Sequence, residues 1–196
     1  MDFRIPRLRR KLARIPYTPG RSHSFGEERH AFRLGPRLPE ARADAFEAEH
    51  DVELPQPFRD FLIGMGGSGA SPYYGLIPLE GCALFTMNRA APDAGTRGFT
   101  RAHRPTRDGH LFLSVIECGC SDIALIGVTG PLAGRVLIGN ADGFWGPNVS
   151  SAPEDFLAWY ERWLDHMAAG RDNRALSLTS PRLHAHPQAY RMAPRI

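Results

Sequence analysis

The sequence predicts an α+β domain with a mostly antiparallel sheet and helices that stand apart from the strands. Two segments with apolar residues at helical spacing come first, several short runs rich in β-branched and aromatic residues follow, and an amphipathic helical stretch comes last. That order segregates the helices instead of alternating them with strands, as a parallel βαβ architecture would. A chain of 196 residues buries roughly 70% of its unfolded surface, which suits one core.

Each element has its own signal. Leu38–Val52 reads as a helix, with Pro39 suited to a first turn and Ala41, Ala45 and Phe46 at helical spacing. A second helix begins at Pro57 and sets Phe58, Phe61, Leu62 and Met65 at i, i+3, i+4 and i+7. These form a single apolar stripe, and the helix stops at the glycines from Gly66 onward. The runs YYGLIPLE (73–80), HLFLSVIEC (110–118), DIALIGVTG (122–130) and GRVLIGN (134–140) are short, β-prone and bounded by Gly, Pro or Asp, so they read as strands. The VTGPLAG connection makes the last two a hairpin. Between Arg89 and Asp108 the chain is polar and broken by Gly and Pro, which predicts an irregular segment. The closing helix opens on a capping-box pattern, Ser151 and Glu154. Its apolar face is Phe156, Trp159, Tyr160, Trp163, Leu164 and Met167, with Glu161, Arg162 and Asp165 opposite.

Charge divides the chain into three. Residues 1–37 carry ten Arg or Lys against three acids, residues 38–170 nine against seventeen, and residues 171–196 five against one. The overall +3 therefore conceals an acidic body between basic ends. Pro6, Pro16, Pro19, Gly20 and Pro36 interrupt the first stretch, and its short amphipathic piece at Leu8, Leu12 and Ile15 is too brief for a stable isolated helix. The expected organisation is a basic, partly ordered N-terminal arm over 1–37, an α+β domain over 38–168 and a basic tail over 169–196. An acidic body attracts basic partners and repels nucleic acid. No run approaches the ~20 apolar residues of a membrane span, and no secretory h-region follows the basic N-terminus. The three cysteines make no disulfide framework. A cytoplasmic protein with no membrane association is the expectation.

The candidate chemical sites are weighed by geometry. GMGGSG (64–69) has the glycines of a phosphate loop, but such loops follow a strand and open a helix, where free N–H groups meet the anion. Here the order is reversed, and the Gly-Lys-Ser/Thr ending is missing, so helix termination is the better reading. Cys82, Cys118, Cys120, His103 and His110 could suggest a metal, yet a one-residue Cys-Gly-Cys spacer is poor for structural zinc. There is no Gly-x-Ser-x-Gly elbow and no His-Glu-x-x-His. Glu117 and Asp122 read as strand ends as readily as an acid–base pair. No catalytic residue, metal or cofactor is therefore expected. What remains is an acidic surface: Glu40, Asp44 and Glu47 at i, i+4 and i+7 of the first helix, extended by Asp51 and Glu53. It is either a solvated helix face or a docking surface for a basic protein.

These residues carry a family resemblance. Phe46 and Glu47, the Leu54–Pro55 pair, Phe58, Phe61 and Leu62, the glycines 66–69, and Tyr74, Gly75 and Leu76 stand in the order of the opening of the SUKH superfamily. ECGCSDIALIGVTGPLAGRVL and DFLAWYERWLD are similar to its later turn, strands and closing helix, so the match spans about Arg33–Met167. Phe58 stands where many relatives carry Tyr, and Gln56 where an acid follows Leu-Pro. The resemblance implies a curved sheet with flanking helices. It also implies a bacterial immunity-type protein in a toxin–antitoxin-like pairing, neutralising a cognate toxin, often a nuclease, by direct binding. It brings no catalytic residues. A regulatory scaffold of the same fold, as in fungal relatives that regulate cell-wall synthesis, is the alternative. Nucleic-acid binding through the basic ends is a third reading.

Overall fold

A computed structural model describes residues 1–21, 23–87, 99–102, 111–119, 122–140 and 155–171. The helices are α1 (Ile5–Arg14), α2 (Glu40–His50), α3 (Gln56–Gly64) and α4 (Phe156–Ala168). The strands β1 (Leu84–Met87), β2 (Phe99–Arg101), β3 (Leu111–Gly119), β4 (Asp122–Gly127) and β5 (Val136–Asn140) form one antiparallel sheet in the order β2-β1-β3-β4-β5. The class is α+β, as the residue pattern predicts.

The longest strand shows how the sequence meets the core. Strict alternation along β3 would turn Leu111, Leu113, Val115 and Glu117 to one face, putting a carboxylate among apolar side chains. Instead Ser114 pairs with Leu125 and Ile116 with Ala124, leaving Val115 as the extra residue of a bulge. The bulge reverses the alternation: Val115, Ile116 and Cys118 all join the main core, and Glu117 is exposed. The other face of the sheet carries a smaller buried cluster of Phe85, Phe112, Leu125 and Leu137.

Helix α4 is the centre of the main core. Its predicted stripe of Phe156, Trp159, Tyr160, Trp163, Leu164 and Met167 is buried throughout. Edge-to-face ring contacts join Phe156 to Phe58 at 4.8 Å and Phe61 to Tyr160 at 4.6 Å, uniting α3 with α4. The Tyr160 hydroxyl donates to the Ala70 carbonyl at 2.8 Å, satisfying a fully buried polar group. The N-cap is Asp155, whose Oδ1 accepts from the Ala158 amide. Ser151 and Glu154, expected to form the cap, lie outside the described residues. At the other end Gly170, at φ 71°, and the Arg171 amide on the His166 carbonyl close a Schellman-type cap.

The N-terminal segment corrects the expectation of an arm. Isolated, α1 would be marginal, but packing supplies what length does not. Ile5, Leu8, Leu12 and Ile15 are all buried in the main cluster, so the core begins well before Leu38. Arg4 forks onto Asp155 with both bonds near 2.9 Å, while Arg7 and Lys11 reach Glu161 and Lys11 also reaches Asp165. Three of the ten cations of residues 1–37, Arg4, Arg7 and Lys11, are thus matched to acids at the N-cap of α4 and along it. The tail expected over 169–196 lies outside the described residues beyond Arg171.

Three local expectations also differ. In α2 it is Ala43 and Phe46 that are buried, whereas Ala41 and Ala45 are exposed. The 73–80 run is not a regular strand: Leu76 makes single bridges to Gly69 and Ile116, and Leu79–Gly81 is a 3₁₀ turn. Strands β1 and β2 were not anticipated, and β2 falls inside the segment expected to be irregular.

Buried histidines give this fold a pH dependence. His30 packs against the rings of Phe32 and Trp163, and its Nδ1 accepts from the Phe32 amide. Burial lowers the His30 pKa below its ordinary value of 6.5, outweighing the opposing Tyr73 and Ser71 backbone and the Glu27 and Glu28 charges. His166 is lowered too, by burial and then by Arg171 and Arg162. A depressed histidine leaves the unfolded chain binding more protons below the unfolded value, so its stabilisation is full above pH ~6.5 and is lost as pH falls through the folded pKa. The paired carboxylates Glu27, Glu80 and Glu161 titrate below their ordinary 4.5 and contribute in a lower, separate window. The urea midpoint should therefore fall between pH 7.5 and about 5.5, and His30→Gln should flatten that dependence.

Candidate functional site

The acidic surface is built by α2 and the loop that joins it to α3. Pro39 precedes the first turn with extended backbone, placing Glu40 where a carboxylate suits the positive end of the helix. Asp51 ends α2 in the left-handed region at φ 51°, a conformation Asp tolerates, and its amide bonds to the Glu47 carbonyl. The loop then continues through buried Val52 and Leu54, leaving Asp51 and Glu53 exposed.

Arg59 of α3 sorts the five predicted carboxylates into two sets. Its guanidinium lies 3.2 Å from Glu40 and 3.4 Å from Glu47 and also bonds Asp44. Only 16% of the Arg59 side chain is exposed, so this cation is held in place and cancels part of the acidity. Glu47 has a further structural role: its Oε1 accepts from the Leu54 amide at 2.6 Å and anchors the loop. No ion pair among the described residues engages Asp51 or Glu53. Glu47, Asp51 and Glu53 line one wall of a cleft of about 370 Å³, with Val52, Val128 and Thr129 completing it. Thr129 is positioned by the Leu111 amide, which donates to its Oγ1 at 2.9 Å. The structure thus gathers Glu47, Asp51 and Glu53 at one opening, while Glu40 and Asp44 stand over Arg59.

The cleft's far wall was not read from the sequence. Val128 and Thr129 are distant in the chain from Asp51 and carry no signal except membership of a hairpin turn. Arg59 did carry one, as one of only two cations among the acids of residues 38–88.

The glycine segment does not present an anion cradle. The Gly66 amide bonds Phe61, Gly67 bonds Pro36, Gly69 bonds Leu76 and Ala70 bonds Arg33, all on carbonyl oxygens. Those four N–H groups are already engaged. Gly66 and Gly69 are required by close approach: a Cβ at Gly66 would meet Gly35 O at 2.8 Å, and at Gly69, where φ is +88°, Arg33 O at 2.4 Å. The glycines therefore let the 33–37 strand of chain lie against the end of α3.

Cys82 and Cys118 are held as thiols. Burial pushes Cys82 up to about 12 and raises Cys118 as well, conditions that oppose nucleophilic or ligating thiolate. No group of three or more His, Cys, Asp or Glu suited to a metal occurs among the described residues, while Cys120, His103 and His110 lie outside them. Glu117 and Asp122 are exposed at the ends of β3 and β4. No helix among the described residues is long and apolar enough to cross a membrane. No protein-family model, curated protein or solved structure matches the chain.

Proposed function

We propose that this protein acts by binding, as an immunity-type module that neutralises a basic protein toxin, a nuclease for example, by covering its functional surface. The observation that carries this reading is the carboxylate pair Asp51 and Glu53, outside every ion pair among the described residues, at the mouth of the cleft between the α2–α3 loop and the turn after β4, beside three acids held over Arg59. Complementary charge of this kind speeds encounter and fixes orientation, and a standard interface of ~800 Å² per partner would extend well beyond the cleft. The resemblance to the SUKH superfamily across Arg33–Met167 supports the same class of function. Neither reading requires a cofactor, and the protein is proposed to be non-enzymatic.

The test is co-expression with the toxin-like product of a neighbouring gene. Co-purification and rescue of growth are expected, and Asp51→Lys with Glu53→Lys should weaken the complex at least about tenfold while leaving thermal stability nearly unchanged. A chain that neither binds nor rescues has some other function. A complex indifferent to both substitutions places the contact surface elsewhere.

A further inference from the structure

Helix α1 has two unlike sides. One side buries Ile5, Leu8 and Leu12, continued by Ile15. With 3.6 residues per turn, Arg10 and Arg14 lie on the opposite side of α1, while Phe3 stands in the turn before the helix and Tyr17 ends the 3₁₀ turn after it. All four are exposed, Phe3 at 83% and Tyr17 at 84%. Exposed apolar side chains carry information where they stand with other exposed groups, here on either side of two exposed arginines.

The other cations of residues 1–30 are engaged. Arg4, Arg7 and Lys11 pair with acids, Arg9 donates to the Gly64 carbonyl, Arg21 pairs with Glu27 and Arg29 lies over Tyr74. No ion pair among the described residues engages Arg10 or Arg14. Two guanidiniums one turn apart, with no ion pair among the described residues, thus stand between two exposed aromatic residues in the chain.

We infer that this outer face of α1 binds single-stranded nucleic acid, with Arg10 and Arg14 on consecutive phosphates and Phe3 and Tyr17 stacking on bases. Guanidinium groups suit phosphate, and aromatic rings stack on bases whatever the sequence because every base has a π-face. A duplex hides its base faces from such rings. The face is also convex, the outside of a single helix, which a flexible strand follows but a rigid protein meets only along a line. The surface is separate from the acidic cleft, and the inference stands independently of the toxin-binding reading.

The number of contacts sets the expected behaviour. Two phosphates on a single strand give a log–log salt slope of about −1.4, so affinity should fall only about fivefold between roughly 50 and 150 mM salt. The probe is a dye-labelled oligothymidylate of about twelve nucleotides, titrated with the full chain and followed by anisotropy. Arg10→Glu with Arg14→Glu should weaken binding at least about tenfold, and Phe3→Ala or Tyr17→Ala each by about fivefold or more, without change in the circular dichroism spectrum. Replacing both arginines by lysine should retain most of the affinity. The inference is overturned by absent binding at low salt or by full binding in the double glutamate variant. A slope steep enough to require six or more phosphates, or tighter binding to duplex or to polyglutamate, overturns it as well.

Discussion

Deletion of residues 1–17 is expected to abolish cooperative unfolding. Ile5, Leu8, Leu12 and Ile15 are at most 6% exposed, and burying an aliphatic side chain of this size contributes about 1.5–3 kcal/mol. Four of them together approach the ~5–15 kcal/mol that stabilises an ordinary domain. The deletion also uncovers α4 and removes Arg9, whose Nη2 bonds the Gly64 carbonyl at the C-terminal end of α3 at 2.6 Å. Losing Arg4 leaves Asp155 without its forked partner. Urea titration followed by tryptophan fluorescence should show a broad, low-midpoint transition or none. A truncated chain with the midpoint of the full chain would return this segment to the status of an arm.

Trp163→Ala is expected to cost about 3–5 kcal/mol, the range for emptying a buried indole site. The side chain is 1% exposed and stacks on Phe32 at 6.0 Å, meets His30 edge-on at 6.3 Å and touches Tyr160 at 5.2 Å. Its position adds to the packing loss. Ala31 and Phe32 sit at φ 45° and 57°, a conformation that persists only where surrounding contacts hold it. Trp163 supplies one of those contacts. Trp163→Phe should recover part of the loss, and chemical denaturation of the two variants measures both. An alanine variant within 1 kcal/mol of the parent would mean that the turn is held elsewhere.

The parts of the fold legible in the sequence are those whose signal is periodic and local. The stripes of α3 and α4 appear in the residue order because a helix buries every third or fourth position regardless of what it meets. The same holds for β3, β4 and β5, each a compact apolar run closed by a turn. β1 and β2 were missed because they are only four and three residues long, shorter than any pattern that alternation can reveal. The 73–80 run failed for a different reason. Its composition is that of a strand, but Leu76 makes only single bridges, and Tyr73 at φ 57° and Gly75 at φ 93° break the extended backbone.

By itself the sequence determined the α+β class, the apolar faces of α3 and α4, and the acidic character of α2 and its following loop. Those follow from spacing and charge along the chain. Only the tertiary structure decided which charges remain free. Arg59 cancels acids contributed by α2, Arg4, Arg7 and Lys11 are matched at the N-cap of α4 and along it, and Asp51, Glu53, Arg10 and Arg14 have no ion pair among the described residues. The physical reason is that an ion pair depends on a few ångströms of separation in space. Partners such as Arg4 and Asp155 lie 151 residues apart in the chain, where no local pattern can place them together.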